Sequence, residues 1–76
     1  MALLKKRSVS LAGHATSLAL EPEFWAVLEA MAAAEDSSLA ALLIRLDLER
    51  GARPLASACR VAALGWTRDH AVPTSG

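Results

Sequence analysis

Cysteine is nearly absent from this chain. Cys59 stands alone among 76 residues, so no internal disulfide can form, and with His14 and His70 far apart there is no zinc-binding spacing. Aromatics are equally scarce: Phe24, Trp25 and Trp66 are the whole set, too few to build a stacking platform for single-stranded nucleic acid. The four glycines are scattered rather than clustered, which excludes a phosphate-cradling loop. No apolar run approaches the ~20 residues that span a bilayer. Met1-Ala2-Leu3-Leu4 precedes the basic run Lys5-Lys6-Arg7 instead of following it, the reverse of a signal peptide. A cytoplasmic protein with no membrane partner is expected. No catalytic constellation is visible, so no catalytic residue, metal or cofactor is expected and the chain does not read as an enzyme; Cys59, on an apolar helix face, reads as a small buried hydrophobe.

What is present is an abrupt change of period. Thr16, Leu18 and Leu20 alternate with Ala15, Ser17 and Ala19 as in a half-buried strand, whereas Phe24, Trp25, Leu28, Met31 and Ala32 recur at helical spacing. Pro22 suits the first helical position, where its missing N–H has no partner to lose. Asp36, Ser37 and Ser38 are capping residues for a second helix with Leu39, Leu42, Leu43 and Leu46 on one stripe, and Gly51 is its stop. Pro54 then opens a third helix, with Leu55, Ala58, Cys59, Ala62 and Trp66 near one face. Gly65 weakens that helix by roughly 1 kcal/mol relative to alanine, and fraying is expected from there on.

A lone strand leaves its N–H and C=O groups unpaired. The chain is 54% hydrophobic over 76 residues, yet a domain this small buries only ~60% of its unfolded surface. An intertwined homodimer, strand against strand, is expected to resolve both problems.

Strand, then Leu20-Glu21-Pro22-Glu23-Phe24-Trp25, then Ser37-Ser38-Leu39-Ala40-Ala41-Leu42 resembles the ribbon-helix-helix family of small bacterial DNA-binding regulators. Lys6-Arg7-Ser8-Val9-Ser10-Leu11-Ala12-Gly13-His14, with Leu55-Ala56-Ser57-Ala58-Cys59-Arg60-Val61, is similar to a bacterial subgroup carrying an extra C-terminal helix; the resemblance spans about residues 6 to 68. It implies a mainly α fold with a short N-terminal β element, and a ribbon of two strands, paired across a dimer axis, lying in the DNA major groove. It implies a dimer core of Leu18, Leu20, Phe24, Trp25, Leu28, Leu39, Leu42, Leu43 and Leu46, with Thr16 on the same side, and base-facing residues Ala15, Ser17 and Ala19. Two of those three are alanine, where the family places long or polar side chains, and alanine cannot hydrogen-bond a base. A phosphate at the start of the second helix is also implied, with Ser37 and Ser38 as donors; serines there also serve simply as caps.

Charge is zero overall but uneven. Residues 1–20 carry +3 from Lys5, Lys6 and Arg7, residues 21–49 carry −6, and residues 50–76 carry +3. The N-terminal cluster suits phosphate contacts beside the ribbon, or serves only as a solvated basic terminus. Val9 and Leu11 sit at odd positions and Leu18 and Leu20 at even ones, so Ala12-Gly13-His14 must reset the register. A turn there would make residues 7–11 a second strand; a bulge would leave an arm that tracks the backbone. His14, at this joint, reads as a local hydrogen-bonding turn residue or a phosphate contact.

The expected organisation is a basic arm or extra strand over 1–13, a ribbon-helix-helix core over 14–51, a C-terminal helix over 52–70 and a disordered tail over 71–76. The expected function is that of a dimeric DNA-binding transcriptional regulator. The alternative is the same fold kept as a protein-interaction module, antitoxin-like or an assembly adaptor, with weak or no DNA binding and a protein partner on the C-terminal helix.

Overall fold

Two residues with positive φ, Ala12 at 50° and Gly13 at 83°, turn the chain back on itself. That is the geometry of a two-residue hairpin whose twist matches its strands. In the computed structural model, which describes residues 3–70, β1 (Lys5–Leu11) and β2 (His14–Leu20) form an antiparallel two-stranded sheet. The register runs from Leu11 opposite His14 to Lys5 opposite Leu20. The joint is therefore a turn and residues 7–11 lie in a strand. This corrects the expectation that β2 is a lone strand in need of another molecule: its partner lies in the same chain.

Helix α1 (Pro22–Ala34) starts at Pro22 as expected. Its end uses Asp36, whose φ is 55°; the Asp36 N–H donates to Ala33 O at 3.0 Å and the Ser37 N–H to Ala32 O at 2.8 Å. This is a Schellman closure. Asp36 thus terminates α1, and Ser38 alone caps α2 (Leu39–Glu49), its Oγ accepting from the Ala41 N–H at 3.0 Å. Gly51, with φ of 61°, follows α2. Helix α3 (Leu55–Asp69) has Pro54 as its cap rather than its first residue. Gly65 does not end it: the helix continues to Asp69, where the His70 N–H donates to Trp66 O at 2.9 Å and the two rings stack 4.3 Å apart. The tail expected over 71–76 lies outside the described residues.

The core joins Leu11, Leu18 and Leu20 of the sheet to Trp25, Leu28, Met31 and Ala32 of α1, Leu42, Leu43 and Leu46 of α2, and Cys59 and Ala63 of α3. Burial of each large aliphatic side chain contributes roughly 1.5 to 3 kcal/mol. Of the residues expected to need a dimer for burial, all but Phe24 and Leu39 are fully buried within one chain, and those two are half-buried. The third helix supplies what a mate chain was expected to supply. Thr16 lies on the core side of β2, opposite the half-buried Val9, but is exposed. Ala63 takes a buried place on α3, while Ala58 lines a surface groove. Cys59 is fully buried, and burial pushes its thiol up to about 11, as befits an unreactive packing residue.

Ala12 holds a conformation that costs an ordinary L-residue roughly 1 to 2 kcal/mol. Ala12→Asn, which suits the left-handed region ahead of glycine, should raise stability by about 0.5 to 1 kcal/mol. A shift of the urea midpoint upward with unchanged slope would register this gain.

Candidate nucleic-acid interface

Alternation along the hairpin sorts its side chains onto two faces. Lys5, Arg7, Val9 and Leu11 share the inner face with His14, Thr16, Leu18 and Leu20, while Lys6, Ser8 and Ser10 stand opposite Ala19, Ser17 and Ala15 on the outer one. Lys6, Ser8, Ser10, Ala15 and Ser17 are exposed and Ala19 is half-buried. Among the described residues, none of the outer-face side chains makes a hydrogen bond or ion pair within the chain.

The basic run is divided by this register. Lys6 points outward. Lys5 belongs to the inner face but sits at the open end of the hairpin and is exposed. Its carbonyl accepts the Trp25 Nε1–H at 2.8 Å, which ties β1 to α1. Arg7 lies against α1, its guanidinium 4.6 Å from the Trp25 ring and 3.8 Å from the Glu29 carboxylate. A cation stacked on tryptophan is held by the ring's quadrupole, so Arg7 faces away from the side that carries Lys6.

Most other cations are also engaged. Arg45 forms a bidentate pair with Glu35, Arg50 Nε donates to Asp47 at 2.6 Å, and Arg60 Nε donates to Glu21 at 2.9 Å while lying 5.8 Å from the Phe24 ring. Among the described residues Lys5, Lys6 and Arg53 have no acidic partner. The acidic charge of α1 and α2 is therefore partly neutralised from within.

The start of α2 lies beside β1. A groove of about 250 Å³ there is lined by Arg7, Ser8, Val9 and Ser10 on the strand and Leu39, Ala40 and Leu43 on the helix. The Ser37 hydroxyl donates to Ser38 O at 3.2 Å, whereas the Ser38 oxygen only accepts, leaving its proton free to donate outward. Of the two serines, Ser38 is the one with a donor to offer. His14, adjacent to the turn, lines a separate groove with Thr16, Asp47, Arg50 and Leu55, away from the outer face.

The structure thus brings Lys6, Ala15, Ser17 and Ala19 onto one face, with Lys5 at its end and Ser38 near its edge. It adds Ser8 and Ser10, which were not among the expected site residues. Their signal was available in the alternation of Lys6, Ser8 and Ser10 with Val9 and Leu11, once the turn is known.

A hairpin ribbon packed on successive helices defines a small β-ribbon and helix module. The chain belongs to the ribbon-helix-helix domain family, whose profile it matches over residues 4–67. No curated protein and no solved structure matches it. No helix among the described residues is long and apolar enough to cross a membrane.

Two carboxylates reinforce this scaffold. A hydrogen bond to its own backbone, then Arg60, holds Glu21 below the ordinary value of 4.5, and Arg45 does the same for Glu35. A carboxylate lowered in the folded state contributes stability above its unfolded value and loses it as pH falls through the folded one. Stability should therefore decline as pH drops below about 4.5, and Glu21→Gln with Glu35→Gln should flatten that decline when thermal midpoints are recorded from pH 7 to pH 3.

Proposed function

We propose that the protein is a homodimeric DNA-binding regulator whose outer hairpin face meets the duplex. One observation carries this reading: Lys6, Ser8, Ser10 and Ser17 form an exposed polar surface with no partner among the described residues. Lys5 and Lys6 neutralise phosphates, and the Ser38 end of α2 donates to another, where free N–H groups and the helix dipole favour an anion. Family membership supports the reading, since ribbon-helix-helix proteins are typically regulators of this kind or antitoxins.

The dimer forms through the outer face of α2. Ala41, Ile44 and Leu48 recur there at helical spacing, opposite the buried stripe, with Leu48 78% exposed and Ile44 39%. Such an apolar stripe on an otherwise satisfied helix suits a self-complementary contact. A second reading, a protein partner on the C-terminal helix, is favoured by Val61 and Leu64, exposed to 50% and 67% on the far side of α3.

Binding to random-sequence duplex should weaken more than 10-fold between about 50 and 200 mM salt, because each neutralised phosphate contributes ~0.9 to the logarithmic slope. Lys5→Ala with Lys6→Ala should flatten that slope, and unchanged binding would remove both lysines from the mechanism. No binding at the lower salt by a protein shown to be dimeric would favour the C-terminal-helix reading.

Leu48→Glu should convert the dimer to a folded monomer in sedimentation experiments, since Leu48 lies outside the core. A variant that stays dimeric would exclude the α2 face as the contact.

A further inference from the structure

We infer that the outer face of α3 binds the same face of a second copy, antiparallel, so that each chain carries a self-contact besides the one on α2. This contact is separate from DNA binding and does not require it.

The face is apolar and unpartnered within the chain. Ser57, Val61, Leu64 and Arg68 recur at helical spacing on the side of α3 turned away from the buried Cys59 and Ala63. Val61 and Leu64 are both exposed. Beside them Ala58, Val61 and Ala62 form one wall of a groove of about 250 Å³, with Glu49 and Arg53 on the other. Gly65 lies half-buried next to Leu64. A glycine in mid-helix weakens the helix, yet a Cβ at this position would meet nothing within 4 Å. No packing inside the chain requires the gap, whereas a second helix crossing there at about 8 to 10 Å uses it.

Charge selects a second copy as the occupant and sets its direction. Arg53 and Glu49 make no ion pair among the described residues. At the far end of α3, Arg68 and Asp69 are paired only with each other, at 3.6 Å, and both are exposed. Each end of the face thus offers one cation and one anion without a firm partner. A two-fold axis crossing α3 between Val61 and Leu64 runs the helices antiparallel and lays one copy's Arg68 and Asp69 on the other's Glu49 and Arg53. Such an axis keeps the grooves of both copies on the same side. Asp69 lies on the groove side of α3, at helical spacing from Ala58 and Ala62, so it meets Arg53 while Arg68 meets Glu49, and each pair occurs twice. Val61 of each copy then packs on Leu64 and Gly65 of the other. A parallel pairing would set Arg68 against Arg68 and leave Arg53 and Glu49 unmatched.

Exposed ion pairs add little to affinity, so the contact is read at high concentration. Sedimentation equilibrium of the full chain from about 5 to about 500 µM reads it in Leu48→Glu, which lacks the α2 contact. That variant should be monomeric at the low end and dimeric at the high end. Adding Leu64→Glu should weaken the association at least about 10-fold, because each interface loses two leucines. Adding Arg53→Asp or Asp69→Arg alone should weaken it roughly 3- to 5-fold, and the two together should restore it to within about 2-fold. Leu48→Glu that stays monomeric at the highest concentration would overturn the inference and leave the DNA-binding reading intact. So would association that Leu64→Glu leaves unchanged, or charge reversals whose combination fails to restore it. Leu48→Glu that is dimeric throughout and becomes monomeric on adding Leu64→Glu would support the α3 contact and remove the α2 one. Circular dichroism of each variant, expected to match the wild type because these side chains lie outside the core, excludes misfolding as the cause of a loss.

Discussion

The pairing of β1 with β2 is the constraint on which the rest of this structure depends. A two-residue turn through Ala12 and Gly13 fixes the register, and the register fixes which side chains reach the core and which reach solvent. A slip of β1 by one residue would point Lys6, Ser8 and Ser10 at the helices and Val9 and Leu11 at water. Leu11, Leu18 and Leu20 are buried only because both strands present the same side inward. The hairpin is then fastened to α1 by Trp25, which donates to the Lys5 carbonyl and carries the Arg7 guanidinium on its ring. One indole thus holds the open end of the ribbon, while the turn holds the other.

The third helix completes what the hairpin begins. Cys59 and Ala63 are small enough for α3 to pack closely on the two helices before it, and Leu55 and Trp66 cover the margins of the core. Arg60 links α3 to the strand–helix joint through Glu21. This is a partly exposed ion pair, and its worth is modest in solution. Its geometric effect is larger: it fixes the third helix against the start of α1 and sets Arg60 over the Phe24 ring.

Much of this was legible in the sequence. The change of period at Leu20 to Phe24, Pro22 at the helix start, the leucine stripe of α2 and the stop at Gly51 all correspond to elements in the structure. The odd and even placing of Val9, Leu11, Leu18 and Leu20 required a reset at Gly13, but parity alone could not distinguish a bulge from a turn. The distinction depends on whether Arg7 to Leu11 finds a partner, which is a tertiary outcome. A strand that reads as alone in the sequence therefore has its partner within the same chain. Asp36 stands between two helices, where a residue can end one or cap the next; Ser38 caps α2 and leaves Asp36 in the left-handed position. The division of the basic run was hidden as well, since the sequence shows three adjacent cations and only the register separates Lys6 from Arg7. Ser8 and Ser10 gained a place on the candidate interface by the same route.

Internal ion pairing also limits what one chain can do electrostatically. Arg45, Arg50 and Arg60 are each hydrogen-bonded to a carboxylate, and Arg7 is committed to Trp25 and Glu29. If the hairpin meets DNA as proposed, Lys5 and Lys6 would supply about two phosphate contacts, a shallow salt slope of roughly −1.8 and weak binding for one chain by itself. In the proposed dimer, two hairpins would double that number, and the second would engage at the effective concentration set by the first. With Lys5 and Lys6 the unpaired cations of the hairpin among the described residues, the proposed DNA binding would draw its affinity from joining two copies. Under the proposed reading, the exposed Leu48 and the lysines of the ribbon would be two halves of one requirement: the first would bring in the second hairpin, and the lysines would give each hairpin its phosphate contacts.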